Sequence, residues 1–223
     1  MSFWLCIASD YECMHVALCK EQKIIETLST DKADSNKQLL FLIAQLLTKH
    51  HLVINDLLYI GVNVGPAPYT SLRIAIATAN GIAYATSLPL VNIDGLLVLL
   101  QQHTSLNPTV ALLNAFNYDV FYGIRADTTI LTGCEHIDQL LDRLNQLNIT
   151  TPYIIGNGTT LYYENIIKRF SGAQISQPAV EYANIEWLAK SGWHSWQERQ
   201  EITDQVFPRY LKNIDYKNSI TVK

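Results

Sequence analysis

Asp10 is the first residue whose type and place could serve a reaction. It follows an apolar run, Phe3 to Ala8, through Ser9. A carboxylate where a first strand ends is what a hydrated magnesium ion needs when phosphate is held at the adjoining hairpin. That hairpin lacks the glycines and the lysine that would let amides and an ammonium approach phosphate, so Asp10 reads as a turn residue bonding its own backbone. A second hairpin, Asn114-Ala115-Phe116-Asn117-Tyr118-Asp119, offers amides and one carboxylate, and Asp119 also reads as structural. The histidines His15, His50, His51, His103, His136 and His194 form neither H-x-x-x-H nor H-E-x-x-H, so no helix presents two imidazoles to one metal. His15 sits within an apolar strand and reads as a core or edge residue. There is no G-x-S-x-G elbow. Cys6, Cys13, Cys19 and Cys134 form no C-x-x-C pair and read as reduced core thiols. No residue is assigned a catalytic or metal-binding role.

The bulk composition narrows the setting. With 223 residues and 48% apolar content, the chain can fill one large core or two small ones. Sixteen basic and 20 acidic residues give a formal charge of −4 with no basic stripe, so tight autonomous binding to nucleic acid is not expected. The first apolar run is short, lacks a basic flank and reads as a buried strand, not a signal peptide. No apolar run approaches the roughly 20 residues of a membrane span. A cytoplasmic protein without membrane contact is the expectation.

The elements that would position these residues come in a repeating order. Strands are expected at Phe3 to Ala8, Met14 to Cys19 and Lys23 to Leu28, with turn residues between them. A helix follows, capped by Asp34 or Ser35, in which Leu39, Leu40, Ile43, Leu46 and Leu47 recur at helical spacing. Leu57 to Val64 is apolar on both faces, as a covered central strand requires. An alanine-rich helix from near Thr70 to Ser87, a strand at Leu90 to Ile93 and a helix from Asp94 to about His103 complete the first set.

From Thr109 the order restarts. Strands are expected at 110–113, 120–124 and 128–131, a helix at 136–147, a strand at 153–155, a helix at 160–170, a strand at 173–175 and a helix at 183–190. Two β-β-β-α-β-α-β-α sets predict an α/β protein of duplicated lobes, the actin-like, ribonuclease H-like order. The N-terminal lobe would span 1–105, joined by the C-terminal tail from about 205 to 223, and the C-terminal lobe would span 106–204. The aromatic, polar chain from Trp193 onward is expected to pack across the lobes.

Gly65-Pro66-Ala67-Pro68-Tyr69-Thr70-Ser71-Leu72-Arg73 is the most informative segment. A glycine closes a buried strand, prolines stiffen the loop, Thr70 is placed to cap the next helix, and Arg73 is expected to fold back onto loop carbonyls. The helix Gln38 to Leu47 is apolar nearly all round, more than one sheet face needs. The alanine-rich helix presents small side chains that let another helix come close. Together they predict a packing surface for another chain, with Leu39, Phe41, Leu42, Ile43, Gln45 and Leu46 on the first helix and Ile74, Ala75, Thr78 and Ala79 on the second.

The motif Gly65-Pro66-x-x-Tyr69-Thr70-x-Leu72-Arg73, with the alanine-rich helix and Leu88-Pro89-Leu90-Val91 after it, resembles the TsaB family, also called YeaZ, whose loop commonly reads G-P-G-S-F-T-G-L-R. Glu12, Val16-Ala17-Leu18, Leu39-Leu40 and Pro208-x-Tyr210-Leu211-Lys212 agree with it. Ala67, Pro68 and Ser71 depart from the pattern, as do Ala8, Ser35 and Phe116, which marks a divergent member. The resemblance implies a non-catalytic subunit. Its partner would be a TsaD-like subunit that transfers a threonylcarbamoyl group to adenosine 37 of transfer RNA. A TsaE-like ATPase would be the third component. It also implies that the two first-lobe helices form the contact, that the isolated chain is a homodimer, and that transfer RNA is met only through the complex. ATP, magnesium and a metal would reside on partner subunits, with no cofactor on this chain. The rival expectation is a small actin-like ATPase or kinase, or a metal-dependent hydrolase, acting alone.

Overall fold

The computed structural model describes residues 2–212 apart from 32, 104–107 and 178. The expected lobe boundary at Ser105 to Asn107 lies outside the described residues, as does the tail beyond Lys212. In chain order the first half holds β1 (Phe3–Ser9), β2 (Cys13–Lys20), β3 (Lys23–Asp31), α1 (Ser35–Lys49), a 3-10 turn (Ile54–Asp56), β4 (Leu57–Gly65), α2 (Tyr69–Thr86), β5 (Leu90–Asp94) and α3 (Gly95–Gln101). The second half holds β6 (Thr109–Asn114), β7 (Asp119–Ala126), β8 (Thr129–His136), α4 (Ile137–Gln146), β9 (Tyr153–Ile155), α5 (Gly158–Leu161), α6 (Tyr163–Arg169), β10 (Gln174–Ile175), α7 (Ile185–Gln197) and β11 (Ile202–Thr203).

The sheets repeat one plan. In the first, ordered β11-β5-β4-β1-β2-β3, a three-stranded meander is extended by β4, parallel to β1, and by β5, parallel to β4. In the second, ordered β10-β9-β6-β7-β8, β9 and β10 extend the meander β6-β7-β8 in the same way. The expected duplicated α/β architecture is therefore the observed one.

Alternation along β1 decides what covers each face. Leu5 and Ile7 point to a core shared with Leu39, Ile43 and Leu46 of α1 and Leu72, Ala75 and Ala79 of α2. Trp4, Cys6 and Ala8 point the other way, to α7, where Trp4, Tyr59 and Trp196 stack with centroids 4.7 and 4.5 Å apart. Gly192 permits this approach, since a Cβ there would sit 2.8 Å from Ile93 Cδ1. Helix α7 and β11 thus lie on the first sheet, so chain ahead of residue 205 already returns to it.

Helix α3 is buried between the two sheets over most of its surface, with Leu97 half-buried and Gln101 exposed. Leu96, Leu99 and Leu100 pack on Ala111, Leu113 and Ile155 of the second sheet, while Val98 joins the core of the first. The other face of the second sheet is covered by Leu140, Leu141 and Leu144 of α4 and Ile166 of α6.

Local differences from the expected elements have physical causes. Strand β8 runs past Gly133 to His136 because the Tyr122 ring lies over that glycine, where a Cβ would meet Tyr122 Oη at 2.6 Å. The helix expected at 160–170 breaks at Tyr162, whose ring turns into the core at φ −114° and ψ 23°. Asp34 occupies the N-cap of α1, but its side chain makes no capping bond.

Candidate partner surface and interlobe cleft

Helices α1 and α2 lie together on one face of the first sheet, so each has an inward and an outward side. Positions 39, 42, 43, 46 and 47 of α1 fall inward at the i, i+3, i+4, i+7 spacing of a single buried stripe. Leu39, Leu42, Ile43 and Leu46 therefore belong to the core and have no surface for a partner, and the same holds for Ala75 and Ala79 of α2. Of the expected contact residues, Phe41 and Gln45 are exposed, and Ile74 and Thr78 are half-buried. The sequence reading missed Leu40, 61% exposed beside Phe41 at 62%, and Tyr84 of α2, exposed at 94%. Ala44 of α1 and Ala77, Gly81 and Ala85 of α2 are exposed as well. A Cβ on Gly81 would have nothing within 4 Å, so the outward side of α2 is low and open to close approach.

The motif loop is held from several sides. Gly65 takes φ +114°, where a side chain would be strained, and its amide donates to Asn63 Oδ1 at 3.0 Å. Helix α2 starts at Tyr69 with Pro68 at the N-cap, so Thr70 is not its cap. Ser71 is the residue bound into the loop: its hydroxyl donates to the Pro68 carbonyl at 3.1 Å and accepts from Ser9 Oγ at 2.8 Å. Arg73 does not fold onto loop carbonyls. One turn after Tyr69, its Nη1 donates to Tyr69 Oη at 2.6 Å, and its guanidinium lies 4.9 Å from that ring's centroid. Leu72 is buried in the first core and Pro66 is buried beside it.

A C-terminal strap fastens this loop to the second lobe. Asn80 exchanges two hydrogen bonds of 2.9 Å with the Val206 backbone, and the Arg209 amide donates to the Val64 carbonyl at 2.9 Å. The Arg209 guanidinium pairs with Asp94. Lys212 Nζ reaches the second hairpin, 3.0 Å from the Ala115 carbonyl and 2.8 Å from Asp119 Oδ2.

Between the two hairpins, where two-lobed folds of this order hold phosphate, the space is taken. Tyr11 crosses from the first hairpin and donates to the Asn114 carbonyl at 2.7 Å. The gap left among Ser9, Asp10, Tyr11, Asn63, Gly95 and Tyr182 is about 10 Å³, the room of about one water molecule. Asp10 is already engaged: Oδ1 accepts from the Glu12 and Cys13 amides at 2.7 and 2.6 Å, and Oδ2 meets His15 Nε2 at 2.7 Å. Burial would raise this carboxyl, but the His15 imidazole and the two amides outweigh it and hold it below its ordinary value. Asp10 and Tyr11 are therefore committed to contacts within the protein, with room for about one water beside them. Among the described residues, no three His, Cys, Asp or Glu side chains form a group that could hold a metal ion, and no helix is long and apolar enough to cross a membrane.

Comparison with known proteins places this geometry. A sequence model of the family described as TsaD, tRNA N6-adenosine threonylcarbamoyltransferase, matches residues 30–153. The tRNA threonylcarbamoyladenosine biosynthesis protein TsaB of Buchnera aphidicola subsp. Baizongia pistaciae is 23% identical over 188 residues, covering 78% of this chain and 81% of that protein. YeaZ from Pseudomonas aeruginosa superposes with a TM-score of 0.67 at 20% identity, over 95% of this chain and all of that one. A Pseudomonas aeruginosa protein with similarity to the peptidase YEAZ superposes at 0.73 and 19% identity, with 95% and 100% covered. The structural likeness is one of fold, and it agrees with the actin-like order of elements.

Proposed function

This chain belongs to the family described as TsaD, tRNA N6-adenosine threonylcarbamoyltransferase, and on that premise we propose that it is a non-catalytic partner subunit in threonylcarbamoyladenosine biosynthesis. Its relatives carry the name TsaB, a biosynthesis protein of that pathway. The observation that carries the reading is the filled space beside Asp10. Tyr11 bonded to the Asn114 carbonyl leaves about 10 Å³ at the strand end where a metal-held phosphate would have to sit. A chain of this family that keeps the fold while filling its reaction site contributes surface.

The surface in question is the outward side of α1 and α2, around Leu40, Phe41, Gln45 and Tyr84. The partner is a TsaD-like subunit in the cytoplasm, with a TsaE-like ATPase as third component. ATP, magnesium and the metal belong to those subunits. Without its partner the chain covers the same surface with a second copy of itself.

Two measurements test this. Gel filtration after co-expression with the TsaD-like subunit gives one co-eluting complex, and separate elution at micromolar concentration overturns the partner reading. Calorimetry of the isolated chain with magnesium and ATP gives no binding heat. Tight binding, abolished by Asp10→Ala, would favour the stand-alone ATPase or hydrolase instead.

A further inference from the structure

Beside the motif loop lies a second feature that the partner reading leaves unused. A cavity of about 380 Å³ opens where Pro66, Ala67 and Tyr69 face the second hairpin and the strap. Its walls carry four rings from four separate elements: Tyr69 at the start of α2, Phe116 in the hairpin, Phe121 on β7 and Tyr210 on the strap. Tyr69 and Tyr210 stack at 5.8 Å between centroids, and both are about half exposed. In the hairpin, Phe116, Asn117 and Tyr118 take φ of +61°, +55° and +63°. Left-handed backbone is costly for non-glycine residues and persists where the surroundings enforce it. Here it holds Phe116 and Tyr118 out towards solvent.

Cations stand at the cavity and next to it. Arg73, outside the lining, is stacked on the lining residue Tyr69 and, among the described residues, has no carboxylate partner. Arg209 and Lys212 are paired with Asp94 and Asp119, yet both keep part of their side chains exposed at the rim. Half-exposed rings bordered by guanidinium and ammonium groups match the two chemistries of an unpaired nucleic-acid strand: base faces that stack and phosphates that need cations. An ordinary apolar peptide would use the walls but not the cations.

We infer that this cavity is a seat for unstacked bases of a single-stranded RNA loop, with Phe116 and Tyr210 as stacking surfaces and Arg73 beside the phosphate backbone. The inference rests on the pathway reading for the RNA, but on a different surface from the α1 and α2 contact. Because Asp94 and Asp119 offset two of the three cations, and the chain carries −4 overall, binding by the isolated chain is weak and shows at low ionic strength.

The test measures fluorescence anisotropy of a labelled RNA stem-loop, with the loop-free duplex as comparison. Titrations use the chain alone at low salt and the chain mixed with the TsaD-like subunit. The stem-loop binds better than the duplex, Phe116→Ala and Tyr210→Ala each weaken it about tenfold, and Tyr210→Phe stays near the parent. Arg73→Gln lowers the slope of log affinity against log salt by about 0.7, the value for one single-strand phosphate contact. Gel filtration of the same variants reads complex formation separately. Unchanged RNA affinity in both alanine variants overturns the inference and leaves the partner reading standing. Loss of complex assembly in those variants means the rings contact protein, which also overturns it. If the parent forms no complex, the partner reading fails, and the titrations of the chain alone still decide whether RNA sits here.

Discussion

Phe41 and Leu42 are neighbours in sequence with opposite fates, and exchanging each for alanine separates association from folding. Phe41 is 62% exposed on the outward side of α1, whereas Leu42 is 8% exposed and packed into the first core. A phenylalanine side chain presents about 200 Å². Covering the exposed part with a partner removes roughly 120 Å² from water, about 3 kcal/mol at 25 cal/mol/Å². Interfaces convert area incompletely, so Phe41→Ala should weaken association by about 1–3 kcal/mol, between roughly fivefold and 150-fold in Kd. Its unfolding free energy should stay within about 0.5 kcal/mol of the parent. Leu42→Ala should instead lose about 2–5 kcal/mol of stability through the cavity it leaves. Titration calorimetry with the TsaD-like subunit reads the first quantity and urea unfolding the second. A folded Phe41→Ala variant that binds as tightly as the parent refutes the outward-face reasoning, as does one that loses as much stability as Leu42→Ala.

Other expectations follow from the packing. Among the described residues, Tyr59 Oη is buried without a hydrogen-bond partner between Trp4 and Trp196, so Tyr59→Phe should leave urea stability unchanged or raise it by about 1 kcal/mol; a clear loss would mean the hydroxyl has a partner. Gly156 takes φ +103°, and a Cβ there would lie 2.0 Å from the Leu112 carbonyl oxygen. Gly156→Ala should therefore cost more than about 3 kcal/mol or prevent soluble expression, and a melting temperature within a degree of the parent would contradict that. The Asp10 carboxyl is held below its ordinary value, so its contribution is full above the unfolded value of about 4 and fades as pH falls through the depressed native value. Asp10→Ala should accordingly cost about 1–3 kcal/mol at neutral pH, with the gap to the parent closing in acid; a gap that widens on acidification reverses the sign. Asn80→Ala removes both bonds to Val206 and should speed limited proteolysis within 205–212, and an unchanged cleavage rate would mean the strap is held elsewhere.

Much of the architecture could be read before any coordinates, because strand alternation, helical spacing and turn residues act over a few neighbours. The order of elements, the glycine that closes β4, and the turn role of Asp10 all come from such short-range chemistry. The motif loop and the family resemblance it carries were legible for the same reason, since the loop's residues are contiguous. Reading α1 as apolar all round placed Leu39, Leu42, Ile43 and Leu46 on a partner surface. Apolar content does not say which side of a helix the sheet occupies, and only the position of β2 and β3 beneath α1 assigned those four to the core and left Leu40 and Phe41 outside. Helix α7 shows the same limit: its place after the second set of strands gave no sign that Trp4, Tyr59 and Gly192 would draw it onto the first sheet. Local residue choice determined which elements form. Contacts between residues about a hundred positions apart, such as Tyr11 with Asn114 and Lys212 with Ala115, decided that the two hairpins meet and the strap is fastened, because meetings at that range exist only once the lobes have closed on each other.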